Sequence, residues 1–221
     1  MKASLKSTII EILDQSKETE RVTDLECVDI DLCYEINLQI DQDGTIVVNR
    51  EKRIDLAMFI VEHGVAIADV VKLLTWKDFE GLVASILSEN SFKCTESFRR
   101  RGTLDIKGME IDVIGIRGRT ALSVDAKMWS VRGGKAAALR TAAEKQKERT
   151  LKLTTQLDRL SKKIPSMMKG QYVIIPAMVT WLVEEVELHE GVPVIPVFKL
   201  NSFIQDFEMY EDLVVSFTGQ L

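Results

Sequence analysis

Two short apolar runs, residues 110–116 and 120–126, flank Gly118-Arg119 and constrain this chain more than any other feature. Both are rich in β-branched or apolar residues and are punctuated by the glycine, so they read as the two strands of a β-hairpin. A two-residue loop at Gly118-Arg119 sets Arg117 opposite Thr120, and therefore Asp112 opposite Asp125. Residues in direct opposition have Cβ atoms roughly 4.5–5.5 Å apart. A three-residue loop over 117–119 would shift the register and separate the two aspartates.

Opposed carboxylates repel, so a fold that keeps them there calls for a cation or a shared proton between them. A divalent metal is the simpler choice. Side chains alternate along a strand, so Asp125 and Lys127 share a face two strand rises apart, about 6.6 Å, which sets an ammonium beside the metal. Carboxylate oxygens with open water positions suit Mg²⁺ or Mn²⁺, and such an ion activates water and clamps a phosphodiester oxygen. An isolated Asp-x-Lys is also a common surface ion pair on a solvated strand face, so the neighbouring elements decide.

Upstream, Thr75-Trp76-Lys77-Asp78 has the form of a capping box, and Phe79, Leu82, Val83, Ile86 and Leu87 repeat at helical spacing. Glu80 falls next to Val83 and Leu87 on this helix, at the margin of the buried stripe. It reads either as a residue facing a cleft or as an ordinary boundary glutamate. Downstream, Gly133-Gly134 precedes a run of good helix formers whose inward stripe is Leu139, Ala142, Ala143, Gln146, Leu153, Leu157 and Leu160. Trp129 reads as packing beside the sheet or as a stacking platform. Pro165 and Gly170 end the helical region. Residues 172–182 read as a buried strand broken by Pro176, and 192–198 as an edge strand because of Pro193 and Pro196. Asn201 or Ser202 caps a closing helix over 203–210.

This order, a helix with an acidic residue, a strand with Asp, a strand with Asp-x-Lys, a long helix and a further strand, resembles the PD-(D/E)XK nuclease superfamily. The likeness runs over residues 76–203. Trp76-Lys77-Asp78-Phe79-Glu80, Asp125-Ala126-Lys127-Met128-Trp129 and Gly191-Val192-Pro193-Val194-Ile195-Pro196-Val197 are similar to an uncharacterised, mainly archaeal branch. Ile111 stands where the family name has proline, a departure shared by many members. The resemblance implies an α/β, restriction-endonuclease-like mixed central sheet flanked by helices. It also implies a metal-dependent DNA endonuclease with Glu80, Asp112 and Asp125 as ligands of Mg²⁺ or Mn²⁺. Lys127 would orient water or stabilise transition-state charge. Gln146 would reach the active site from the long helix; otherwise it is a satisfied core amide. The competing readings are a nuclease-fold protein that binds nucleic acid without cutting it, and a structural or assembly protein.

Net charge, −5 overall, is unevenly divided: residues 93–163 hold 18 Lys and Arg against 8 Asp and Glu, the remainder 11 against 26. Arg99-Arg100-Arg101, Arg117, Arg119, Lys145 and Arg149 are the candidate DNA contacts, with Lys147 and Lys152 on the same helix. Such a local field is what phosphate neutralisation requires, and a solvated basic face is the alternative.

At 221 residues and 46% hydrophobic, without an apolar run of membrane length, the chain is expected to be a soluble globular protein. Its opening residues lack a signal-peptide apolar region, so the cytoplasm is the expected compartment. Cys27, Cys33 and Cys94 form no C-x-x-C pair, and His63 and His189 lie away from the motif. Neither a disulfide framework, a zinc ribbon nor a His-based zinc hydrolase is indicated, and no organic cofactor or membrane partner is expected.

Residues 1–72 read as a small α+β module, with the nuclease-like domain over 73–221. A helix over 2–14 precedes alternating apolar residues from Val28 to Ile40, the pattern of a half-buried strand long enough to need a bend. Asp41-Gln42-Asp43-Gly44 supplies a turn and 45–49 a return strand. Two short helices, 53–62 and 66–74, meet at His63-Gly64. Lacking a basic recognition helix, the pair is expected to serve packing or homodimerisation rather than DNA reading.

Overall fold

The computed structural model describes residues 4–26, 28–100, 108–128 and 135–221. Met1, Lys2, Ala3, Cys27, Arg101, Trp129, Gly133 and Gly134 lie outside the described residues. Where the sequence suggested a boundary near residue 72, the chain divides into Met1–Gly81 and Leu82–Leu221.

The first unit opens with α1 (Leu5–Gln15), whose N-cap Ser4 accepts from Ser7 N. Then follow β1 (Arg21–Val22), α2 (Ile30–Glu35), β2 (Gln39–Ile40), β3 (Ile46–Val47), α3 (Arg50–Glu62) and α4 (Ile67–Leu73). α5 (Trp76–Glu89) begins in this unit. The strands form a small sheet in the order β1-β3-β2, with Ile40 opposite Ile46 across the expected turn. Within the expected long strand over 28–40, Ile30–Glu35 is instead the helix α2, and the strand is confined to Gln39–Ile40. Asp29 accepts from the amides of Asp31 and Leu32, and Asn37 takes a positive φ of 54° at the far end. Asp at the N-cap and Asn just past the end are helix punctuation, and they outweigh the two-residue alternation. Burial agrees: Cys33 is enclosed while Ile30 and Tyr34 are exposed.

Arg53 gathers this unit. Wholly buried, it donates to Leu13 O (2.8 Å) at the end of α1, to Ser16 Oγ, to Leu73 O (2.6 Å) at the end of α4, and to Asp78 (3.2 Å). Asp78 also accepts from Thr75 N (2.8 Å), while Thr75 Oγ1 accepts from Asp78 N (3.1 Å), which completes the capping box. One guanidinium thus satisfies the helix-end carbonyls and the capping carboxylate together. Replacing Arg53 with Met removes the charge and keeps the bulk. It should cost about 3–5 kcal/mol in denaturant unfolding, because Asp78 is left as an uncompensated buried charge; a loss below about 1 kcal/mol would show that Arg53 does not organise the unit.

The second unit comprises β4 (Lys93–Arg100), β5 (Met109–Arg117), β6 (Thr120–Lys127), α6 (Lys135–Leu153), α7 (Leu157–Ser161), β7 (Gln171–Thr180), β8 (Leu188–His189), β9 (Val192–Pro196), α8 (Leu200–Gln205) and β10 (Phe217–Gln220). They build a seven-stranded mixed sheet in the order β4-β5-β6-β7-β9-β8, with β10 also paired to β7. β4, β5 and β6 are antiparallel, while β6, β7 and β9 are parallel. The parallel pair β6 and β7 needs a crossover, which α6 supplies. Leu153, Leu157, Leu160 and Ile164 pack with Ile114, Ile116, Ala121 and Ile174, while Leu139 and Ala143 pack with Met178, Val192 and Val194. Gly115 lies where Leu87 and Phe92 close on the sheet, and a Cβ there would meet their side chains at a tight 3.1–3.2 Å. The architecture is the expected mixed sheet flanked by helices, with a small separate sheet before it.

β7 runs unbroken through Pro176. Val173 N donates to Arg119 O and Trp181 N to Lys127 O, so odd-numbered amides face β6 and Pro176 faces the other edge. On that edge β10 pairs up to Ile174 and β9 begins at Met178. The proline therefore sits in the gap between two partners and removes no ladder bond. β9 is not an edge strand, because β8 flanks it. The closing helix is shorter and earlier than expected: α8 ends at Gln205 and a 3-10 turn follows. Among the described residues no helix is long and apolar enough to cross a membrane.

Candidate active site

The hairpin has the two-residue turn. Arg117 pairs with Thr120 and the register continues to Val113 opposite Val124, with Gly118 at φ 59°. The next position holds Asp112 and Asp125. There the ladder gives way to a side chain: Asp112 Oδ2 accepts from Ala126 N at 2.8 Å. Asp125 is almost fully buried. Its Oδ2 lies 2.8 Å from Lys127 Nζ and its Oδ1 2.8 Å from Arg149 Nη1 of α6. Oδ2 is ion-paired with Lys127 and is otherwise a buried oxygen lacking a hydrogen bond among the described residues.

Electrostatics follow from this packing. Burial, and next the negative charge of Asp125, push the Asp112 carboxyl above the ordinary carboxylate range; the Ala126 amide, Lys127 and Arg149 oppose the shift. Two carboxylates thus share one field with an ammonium and a guanidinium. A cleft of about 490 Å³ opens beside them, lined by Asp125, Lys127, Ala137, Ala138, Thr141, Ala142, Lys145 and Arg149. It lies at the carboxyl end of β6, where parallel strands present their loops to ligands.

A divalent cation fits this donor set on two observations: a buried carboxylate oxygen without a hydrogen bond, and a second carboxylate whose charge is disfavoured by burial and by the first. Glu80, the third expected ligand, belongs to the first unit, where it is buried and ion-paired with Lys77 at 2.9 Å.

Gln146 is fully buried and is not part of the cleft lining. Its amide nitrogen donates to Ser123 O (2.7 Å) and Oγ (3.0 Å), and Thr150 Oγ1 lies 3.0 Å from the same hydroxyl. Ser123 shares its strand face with Asp125, so this network ties α6 to β6 directly beneath the site. Ser97 carried no signal in the sequence. It stands opposite Asp112 in register, between the pairs Glu96–Val113 and Phe98–Ile111, with a φ of 48° that non-glycine residues rarely adopt.

The basic residues separate into two groups. Lys145 and Arg149 line the cleft. Arg99 pairs with Glu110 at 2.7 Å across β4 and β5, and Arg100 is opposite Met109, both near the Asp112 end of the sheet. Arg117 and Arg119 are the candidate DNA contacts that flank the hairpin turn. They stand at the turn, five or more residues from Asp112 and Asp125, about 17 Å along the strands. Arg119 donates to Met168 O and Lys169 O at 2.7 Å and lies over Tyr172, while Arg117 lies over Phe92. Both are engaged in closing the turn end of the sheet.

A separate group, Glu144, His189 and Glu190, brings its ligand atoms within 4.8 Å of one another. His189 bonds Glu144 at 3.0 Å, and Lys147 pairs with Glu190 at 3.2 Å, so an ammonium already balances these acids.

No family model matches the chain. An uncharacterised protein of Archaeoglobus fulgidus is 28% identical over 138 residues, which cover 62% of this chain and 95% of that protein. A crystal structure of a Vibrio cholerae protein aligns over 95% of this chain at 12% identity, with a TM-score of 0.36; the chain spans 51% of that protein's length.

Because Asp112 is more readily protonated in the fold than in the unfolded chain, its contribution to metal-free stability is fully present below the unfolded carboxylate's pKa. It is lost as pH rises through the raised native value. Asp112→Asn keeps an acceptor for Ala126 N and removes the charge. The variant should be more stable than the parent near neutral pH without metal, with a flatter pH dependence upward from the unfolded carboxylate's pKa of about 4. Mg²⁺ should stabilise the parent, by about 2.7 kcal/mol at one hundred times its Kd, and not the variant. Denaturant unfolding with and without Mg²⁺ measures both; a variant less stable than the metal-free parent at neutral pH would contradict the origin given for the shift.

Proposed function

We propose that this chain is a divalent-metal-dependent DNA endonuclease of the PD-(D/E)XK kind, hydrolysing phosphodiester bonds in the cytoplasm with Mg²⁺ or Mn²⁺. The observation that carries the reading is the convergence of Asp112, Asp125 and Lys127 at the end of one hairpin, beside a cleft lined by Lys145 and Arg149. Opposed acids on adjacent strands destabilise a sheet, and a metal ligand set is the chemistry that gives such a placement a use.

When bound by the two carboxylates, a divalent cation would supply Lewis acidity and an activated water. Asp112 would offer its other oxygen, its Oδ2 being anchored to Ala126 N, which fixes the carboxylate's orientation. The Ser123, Gln146 and Thr150 network ties α6 to β6 two residues before Asp125. Lys127, on the same strand face, would place its ammonium beside the metal, where it could offset the charge that grows on the phosphoryl oxygens. Lys145, exposed at the cleft, supplies a phosphate contact that positions DNA without reading sequence.

The test is cleavage of plasmid, single-stranded and branched DNA with and without Mg²⁺ or Mn²⁺. Lys127→Ala should lower the single-turnover rate by about 10²–10³, as removal of other preorganised electrostatic groups does, with DNA affinity nearly unchanged and metal affinity not reduced. Asp125→Asn removes a ligand, so added Mg²⁺ should partly restore its activity and should not restore Lys127→Ala. Cleavage by Lys127→Ala at the parent rate would sink the assignment and leave a DNA-binding or assembly role as the better reading.

A further inference from the structure

Both oxygens of Asp125 are already held by cations of the chain itself, Oδ1 by Arg149 and Oδ2 by Lys127, each at 2.8 Å. A metal on the same carboxylate is repelled by both, so its binding favours the release of one, and the two are not equivalent. Lys127 sits on the same strand two residues away, its side chain 24% exposed. Arg149 reaches in from α6 on a long stem and is 34% exposed, while the carboxylate it grips is 2% exposed. It also continues a ridge of α6 residues, Thr141 and Lys145 at successive four-residue steps, that faces the cleft.

We propose that Arg149 is an exchangeable occupant of the metal site: a divalent cation and the Arg149 guanidinium compete for Asp125 Oδ1, and the released guanidinium becomes the clamp for a DNA phosphate. The inference rests on the nuclease reading above and adds to it a coupling between metal and DNA. A Mg²⁺–oxygen bond of about 2.0–2.1 Å leaves no room for an N–H donor on the same lone pair, and the two positive charges repel. The displaced guanidinium keeps its planar fork of donors, which matches a phosphate in bidentate geometry, and it is tethered beside Lys145 in the same cleft. Without metal, Arg149 is occupied by Asp125 and the cleft presents one fewer phosphate contact. With metal, it presents both. Metal and DNA therefore favour each other's binding, and linkage makes that enhancement equal in both directions.

Isothermal titration of Mn²⁺ into the full chain without DNA tests the exchange directly. Arg149→Met should bind Mn²⁺ about tenfold or more tightly than the parent, the scale of one charge-assisted hydrogen bond no longer competing. Lys145→Met lowers the same local charge without touching Asp125, so it should tighten Mn²⁺ binding by about twofold at most, its exposed charge being screened by salt. With phosphorothioate-substituted duplex DNA, Mn²⁺ should strengthen binding to the parent and do so less for Arg149→Met. In the unaltered protein, Mg²⁺ should also release the hindered rotation of the Arg149 guanidinium seen by nuclear magnetic resonance, a readout independent of any substitution. Unchanged or weaker Mn²⁺ binding in Arg149→Met, equal tightening in both variants, or a guanidinium still hindered at saturating Mg²⁺ would each overturn the exchange while leaving the nuclease reading in place. A parent that binds no Mn²⁺, with Asp125→Asn indistinguishable from it, would remove both.

Discussion

Most of what the larger unit offers to chemistry depends on a two-residue turn. Gly118 takes a positive φ, the turn closes at Gly118-Arg119, and the pairing of Arg117 with Thr120 propagates down β5 and β6 to the ends of both strands. Because side chains alternate with period two, one more residue in that turn would send Asp125 and Lys127 to the other face of the sheet relative to Asp112. With the turn as it is, two acids arrive together and the sheet carries their repulsion. The ladder stops short of them, Asp112 bonds the Ala126 amide instead, and Ser97 across β5 adopts a strained backbone at the same level. Local strain gathered around a charge cluster is a pattern of functional sites.

α6 answers the charge that the hairpin creates. It joins the parallel strands β6 and β7, and its inner stripe packs on the sheet through Leu139, Ala143 and Leu153. The same helix places Gln146 and Thr150 under Ser123, Arg149 on Asp125, and Lys145 at the open cleft. Apolar burial fixes the helix, and the polar positions between the apolar ones are thereby fixed relative to the acids. A buried carboxylate with two cationic neighbours is costly to desolvate and gains little net stability from them.

The hairpin, its register, the capping box at Thr75 and the crossover helix were legible in the sequence because each rests on local chemistry: a glycine turn, strand alternation, a Thr/Asp pair at fixed spacing, and apolar residues three and four apart. The helix α2 was misread as a strand because apolar alternation over 28–40 was weighted above Asp29 and Asn37, which punctuate a helix. Pro176 suggested a broken strand because its neighbours on the outer edge of β7, β10 and β9, are distant in sequence and leave their gap just where the missing N–H falls. Long-range packing also decided the basic residues. Charge counting could not tell Lys145 and Arg149, at the cleft, from Arg119, which satisfies carbonyls at Met168 and Lys169. Ser97 and the Asp125–Arg149 pair lie beyond any local pattern.

The central claim is that the hairpin makes a metal site from Asp112 and Asp125. Crystals grown with Mn²⁺ test it most directly, through the anomalous scattering of the ion. The account predicts a single strong peak with a carboxylate oxygen of both Asp112 and Asp125 at about 2.0–2.2 Å, and no such peak in Asp125→Asn. A peak at Glu144, His189 and Glu190 with none between the two aspartates would contradict it.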